Sequence, residues 1–278
     1  MVLFPLKDYN PREHIRFQVV TFLIIAANVA AYLWEQTWPD LESGFFIYGL
    51  VPSLLWEFWN LQPMGVEVTP VMTIFTSMFL HGGFLHILGN MLYLWVFGDN
   101  IEDSMGHGRF LVFYLLCGVA AALTQAAVTP HSNIPMVGAS GAISGILGAY
   151  FVLHPRTHVL VAIFARFTAR LPTYAVLGLW ILTQSVSAAV DYGTDSTAWW
   201  AHIGGFVAGM ILILPFRRRG VLLFDRIPEP VFAEEAPPSA KPVTVTSPIP
   251  PTQRKPRHSL LTKRGRSRIP HGGSRNRP

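Results

Sequence analysis

Ser140 and His202 are the residues of this chain best suited to form a nucleophile and its base. Ser140 stands in Gly138-Ala139-Ser140-Gly141 and His202 in Ala201-His202-Ile203-Gly204-Gly205. A serine hydroxyl attacks a carbonyl only when a positioned base removes its proton, and a neutral imidazole is the usual base. A third polar set lies upstream, in His81-Gly82-Gly83-Phe84-Leu85-His86-Ile87-Leu88-Gly89-Asn90. On a helix His86 and Asn90, four residues apart, share one face. Their side chains, with the Ser140 amide, can donate to the oxyanion that develops in acyl transfer. The same histidines make a poor metal site. His81 and His86 are five apart rather than the four that favours chelation, Asn90 is a weak ligand, and no H-E-x-x-H pattern occurs. Cys117 is the only cysteine, so no cysteine metal site or intrachain disulfide is available. No cofactor is expected.

The elements that must carry these residues are membrane helices. Hydrophobic residues make up 51% of the 278 and charged residues only 13%, a composition of the membrane class. Six apolar runs approach the roughly 20 residues that cross a hydrocarbon core. They cover about Phe17 to Trp34, Gly83 to Gly98 with an apolar approach from Pro70 to Leu80, Phe110 to Val128, Val137 to Leu153, Pro172 to Val190 and Trp199 to Phe216. The expected fold is an all-α polytopic bundle of six transmembrane helices, with a long outer loop between the first and second. The first run lacks the small-residue cleavage site of a signal peptide.

Charge placement orients the bundle, because cytoplasmic loops retain Lys and Arg. With the N-terminus inside, Lys7, Arg12, Arg16, Arg109, Arg156, Arg166, Arg170 and every basic residue from Arg217 onward fall inside, which accounts for all 21. The outer connections, 35–70, 129–136 and 191–198, contain none. Both termini are therefore expected in the cytoplasm. The net charge of +5 sits largely in the tail beside the membrane and is no sign of nucleic-acid binding.

This orientation sets the depths of the polar residues. The second, fourth and sixth runs all descend from outside to inside, and Ser140 and His202 each lie a few residues into theirs. At 1.5 Å per residue both are expected several ångströms below the outer surface, where they can be level with each other. Ser140, Ser144 and Gly148, with Gly141 and Gly145 beside them, face His202, Gly205 and Gly209 as stripes of small residues that let helices touch. Neither run holds an Asp or Glu to orient the imidazole, so a dyad is expected rather than a triad.

The outer loop is rich in aromatics, Phe45, Phe46, Tyr48, Trp56, Phe58 and Trp59, expected to rest at headgroup level, with a semi-immersed lid as the sharper alternative. His158 to Phe164 is an apolar, β-branched run too short to cross, expected at the inner surface. Residues 1–16 form an inner N-terminal segment, 17–216 the helical domain, and 217–278 a basic, Pro-rich tail with too little apolar surface to fold. Arg254 through Arg268 could meet anionic lipid or simply be solvated.

Taken together, the His81–Asn90 segment, Gly138-Ala139-Ser140-Gly141 and Ala201-His202-Ile203-Gly204-Gly205 with Gly209 resemble the rhomboid family of intramembrane serine proteases. The order, spacing and six-helix pattern match over about residues 15 to 216. The resemblance implies a rhomboid-like bundle in which Ser140 attacks, His202 acts as base and then acid, and His86, Asn90 and the Ser140 amide hold the oxyanion. It gives His81 a supporting role. Substrates would be membrane proteins cut in or beside a transmembrane helix, within the lipid bilayer, with no nucleic acid involved; the expected setting is a bacterial inner membrane. Some members carry Tyr four residues after the nucleophile, stacked on the histidine; here that position is Ser144, so another group must hold His202. A catalytically silent client-binding member would need none of these four residues, and a proton-relaying transporter would need acidic groups at the midplane.

Overall fold

The computed structural model describes residues 3–57, 68–163, 166–191 and 197–224. Phe58, Trp59, Asp195 and the basic run from Arg254 through Arg268 lie outside the described residues. All described residues fall within the first of two compact units, residues 1–232.

Helices occupy each of the six apolar runs. The first run forms α1 (Val19–Glu35), and the outer loop contributes the short helices α2 (Leu41–Tyr48) and α3 (Pro52–Trp56). The second run is bent. Its approach forms α4 (Pro70–Thr76) and a 3₁₀ turn (Ser77–Phe79), then the chain turns by 80° into α5 (Phe84–Met105). The remaining runs form α6 (His107–Val128), α7 (Ser140–Leu153), α8 (Thr173–Val190) and α9 (Trp199–Phe216). Among the described residues α6, α8 and α9 are each long and apolar enough to cross a membrane, and the bent pair α4–α5 qualifies as one broken span. With 17 and 14 residues, α1 and α7 are shorter. Exposed apolar side chains cover the outside of the bundle, Leu85 at 79% and Phe84 at 63% among them, as helices that face lipid require.

The expectation of an all-α fold needs correction. A three-stranded antiparallel sheet joins β1 (Leu3–Asp8), β2 (His158–Ile163) and β3 (Phe167–Pro172), with β2 in the centre. The short β-branched run between α7 and α8 is thus a strand over His158–Ile163, its last residue, Phe164, lying outside the described residues. It has to be paired, because an apolar segment that neither crosses the membrane nor coils into a helix leaves its backbone groups unsatisfied. Val159 and Val161 turn into the core beneath the helices.

Buried carboxylates tie together the end of the bundle at which α1 begins and α5 ends. Glu102 of α5 accepts hydrogen bonds from the amides of Val20 (2.9 Å) and Thr21 (2.8 Å) and from the Thr21 hydroxyl (2.7 Å), acting as a cap on α1 from another helix. Asp103 accepts the amides of Glu13, His14 and Ile15 at 2.9, 2.7 and 2.6 Å. Gly106 then lets α5 pass directly into α6. It holds φ +87, which only glycine adopts readily, and the Arg218 guanidinium fills the place of its missing side chain. Residues 217–224 return to this end, with Arg218 donating its amide to Ser104 (2.8 Å) and Phe224 to Val152 (2.9 Å), so the ordered body extends past Phe216.

Asp8 pins the sheet to the bundle. Its carboxyl accepts from Asn100 Nδ2 of α5 (2.6 Å) and from the Tyr150 hydroxyl of α7 (2.7 Å). Removal from water pushes this carboxyl up from its ordinary 3.8 to about 7, against the pull of the Tyr150 hydrogen bond. Because the folded state favours the protonated acid, this contribution is complete below pH 3.8 and is lost as the pH rises through about 7. Detergent-solubilised protein should therefore melt at lower temperature when the pH goes from about 5.5 to about 8.5, and Asp8→Asn should flatten that dependence. Identical slopes for parent and variant would contradict this assignment.

Candidate active site

The geometry of the site is set by backbone contact between α7 and α9. A methyl group added at Gly205 would lie 2.0 Å from the Gly141 carbonyl oxygen, one at Gly209 would lie 1.9 Å from that of Gly145, and one at Gly148 would lie 2.0 Å from that of Phe206. These are the two small-residue stripes of the sequence, meshed in register. They leave Ser140 and His202 facing each other at one end of the interface. Gly205→Ala offers a diagnostic sign. In an open helix this change stabilises by about 1 kcal/mol, whereas here the added carbon strikes backbone. The variant should melt lower than the parent and lose most of any Ser140-dependent turnover; a higher melting temperature with full turnover would contradict the packing.

Ser140 is the first residue of α7 rather than one a few residues inside it, because the chain is not helical before Ala139. Gly138 has φ +129, outside helical geometry, and donates its amide to the Ser77 carbonyl at 2.8 Å. Fourteen residues span about 21 Å, less than the roughly 30 Å hydrocarbon core. At the helix start its amide also belongs to the first turn, whose N–H groups have no helical acceptor and lie at the positive end of the dipole.

His202 lies in the first turn of α9 with Nε2 2.8 Å from Ser140 Oγ. The start of α9 has no side-chain cap of its own; Gln125 of α6 reaches across, and its Oε1 accepts the Ala201 amide at 3.2 Å. On the other side of the ring, His202 Nδ1 lies 2.7 Å from Gln184 Oε1 of α8. Trp180, one turn earlier on α8, and Trp199 flank the imidazole with centroids 6.0 and 6.2 Å away. Ser144, by contrast, turns its hydroxyl back to donate to the Ser140 carbonyl at 2.6 Å. Gln184 was not singled out in the sequence. Its only signal there is an amide within the fifth apolar run, where polar groups are costly.

His86 and Asn90 reach the same place from α5. A methyl group at Gly138 would meet His86 Nε2 at 2.8 Å and Ser140 Oγ at 3.6 Å, so the imidazole and the hydroxyl border one small space. Asn90 is buried, and its Nδ2 has no hydrogen-bond partner among the described residues. Such an orphaned donor is costly unless something accepts from it. His81 stands apart. It is buried, its amide donates to Glu35 Oε1 (3.0 Å), its Nδ1 lies 3.1 Å from the Phe79 carbonyl, and its ring meets His86 edge-on at 5.2 Å. No group of three or more metal-ligating side chains forms among the described residues.

Ser140, His202, His86, Asn90 and Gln184 all line one cavity of about 640 Å³, within the range of small-molecule and peptide side-chain sites. Phe45, from the outer loop, also borders it. Several described residues of that loop are held by specific contacts. Leu50 and Met136 exchange amide hydrogen bonds (3.0 and 2.7 Å), Trp56 Nε1 donates to the Ala126 carbonyl (2.9 Å), and Trp38 packs among Trp34, Phe45 and Tyr48. Phe45 and Tyr48 thus join Trp34 and Trp38 in one cluster, with Phe45 at the cavity, while Trp56 is held separately against α6 and Phe46 is exposed.

Comparison with known proteins matches residues 69–219 to the Rhomboid domain, just over half of the chain. The chain is similar to Rhomboid protein 1, mitochondrial, of Saccharomyces cerevisiae (28% identical over 148 residues, 52% of this chain and 41% of that protein). It is also similar to Rhomboid protease GluP of Bacillus subtilis (33% over 144 residues, 51% and 26%) and to the rhomboid YdcA of the same species (25% over 222 residues, 77% and 98%). The matched part thus spans less than half the length of the first two relatives and nearly all of the third. With the family domain covering the segment that carries His81, His86, Asn90, Ser140 and His202, this chain belongs to the rhomboid family.

Proposed function

We propose that the protein is an intramembrane serine endopeptidase that cuts transmembrane or juxtamembrane segments of other membrane proteins. The observation that carries this reading is the 2.8 Å approach of Ser140 Oγ to His202 Nε2 inside a cavity lined by further donors. In this reading His202 takes the Ser140 proton as the hydroxyl attacks the scissile carbonyl, then returns it to the leaving amine. Asn90 Nδ2, His86 and the Ser140 amide stabilise the oxyanion. Water enters the cavity to release the acyl group, so the bond cut is exchanged for a carboxylate and an amine.

The protease domain is proposed to be residues 17–216 with six crossing segments, α1, α4–α5, α6, α7, α8 and α9. Residues 1–16 and the basic tail from 217 lie on the cytoplasmic side, in keeping with the separation of basic residues. A bacterial plasma membrane is the proposed setting; the relatives include two from Bacillus subtilis and a mitochondrial one from Saccharomyces cerevisiae. A topology reporter placed after Arg217 should read as internal and one near Asp195 as external; the reverse pattern would refute the six-segment arrangement.

Substrate choice follows from access. Carbonyls in an intact helix are bonded within it and shielded by side chains, so the scissile segment must unwind. A Gly or Pro lowers that cost by about 1 to 3 kcal/mol. A small residue such as Ala before the cut bond suits a nucleophile set between close-packed helices. Purified protein in liposomes should therefore cleave a single-span substrate carrying such residues. Failure to cleave any single-span substrate, with the protein folded, would overturn the reading.

A further inference from the structure

We propose that Gln184 is the positioning residue of the site: its Oε1 accepts the Nδ1 proton of His202 and so fixes the tautomer and ring angle in which Nε2 receives the Ser140 proton. The proposal rests on the reading of Ser140 and His202 as nucleophile and base. Its observations are independent of that reading.

His202 Nδ1 and Gln184 Oε1 are 2.7 Å apart, a normal hydrogen-bond distance, on the side of the ring opposite the 2.8 Å contact with Ser140. An imidazole that accepts at Nε2 must carry its proton on Nδ1. An acceptor at Nδ1 therefore selects the one neutral tautomer able to act as base toward Ser140. The ring is also confined from α8 by Trp180, four residues before Gln184 and hence on the same helical face, and by Trp199 at its other edge. Ser144, at the position where some relatives place Tyr, is committed to the Ser140 carbonyl.

A neutral amide does this work differently from a carboxylate. It orients the imidazole without adding negative charge beside it. His202 thus keeps the proton affinity its surroundings give it, and the cost of a second ionised group within the membrane is avoided. The site is a dyad in charge and a triad in geometry.

Two substitutions separate this role from simple packing. Gln184→Met keeps the length and removes the acceptor, while Gln184→Glu keeps only the acceptor. Both are measured in liposomes against a single-span substrate, with melting temperature recorded for each. For Gln184→Met the expected result is a kcat lowered by about 10²-fold with KM nearly unchanged, the usual cost of a misplaced catalytic group. In Gln184→Glu, activity at alkaline pH should approach that of the parent, while the acid limb of its pH–rate profile moves upward by about 1 to 3 pH units, the effect of an adjacent carboxylate on an imidazole. Parent-like kcat and pH profile in both variants would overturn the proposal while leaving Ser140 and His202 in place. Absence of Ser140-dependent turnover in the parent would remove the proposal together with the function it serves.

Discussion

Replacing Ser140 or His202 with Ala should lower the turnover of a single-span substrate by about 10⁴-fold or more, with the melting temperature little changed. Each substitution trims a half-buried side chain that lines the cavity, and neither residue belongs to the buried hydrophobic core. The chemical loss is large because the two groups act as one unit. Without Oγ there is nothing to acylate, and without Nε2 the hydroxyl keeps its proton. For the same reason the double variant should be no slower than either single one, since members of such a unit are not additive. Multiplicative loss in the double variant, or clear residual proteolysis in Ser140→Ala, would contradict the 2.8 Å pairing as the source of the activity.

Asn90→Ala should cost about 10²- to 10³-fold in kcat, the usual loss for one oxyanion donor. In the folded protein the Asn90 amide is buried with no acceptor for Nδ2 among the described residues, beside the space bordered by His86 Nε2 and Ser140 Oγ. A donor with no partner among the described residues is expected to favour the state that develops negative charge, so KM should hardly move. The same reasoning predicts that Asn90→Ala is not destabilising, because it removes an unsatisfied polar group rather than a bonded one. Unchanged turnover would remove Asn90 from the site, and a raised KM with unchanged kcat would mean that it binds substrate instead.

The parts of this molecule legible in the sequence are those dictated by lipid. A membrane demands long apolar runs, and six of them led to the six principal helices, with α9 at its expected limits of Trp199 and Phe216. Small-residue stripes led to the α7–α9 contact, since only glycines let backbones approach to where a single methyl would collide. Element ends were less legible. The start of α7 was placed at Val137, but Gly138 at φ +129 breaks any helix there, and that conformation leaves no mark in an apolar run. The sheet was missed because its pairing is non-local: β1 at the N-terminus meets β2 more than 150 residues later, and neither strand alone alternates clearly. Gln184 was illegible for a related reason. It sits among Thr183, Ser185 and Ser187 on α8, and only the packing of α8 against α9 tells which of these polar side chains turns to His202.

The most direct test of the central claim is labelling of the purified protein with a fluorophosphonate, which phosphonylates a serine activated by a base with loss of fluoride, followed by mass spectrometry of the adduct. The account predicts a single adduct on Ser140, abolished in Ser140→Ala and strongly reduced in His202→Ala. Equal labelling of the parent and Ser140→Ala, or an adduct confined to another serine, would contradict it.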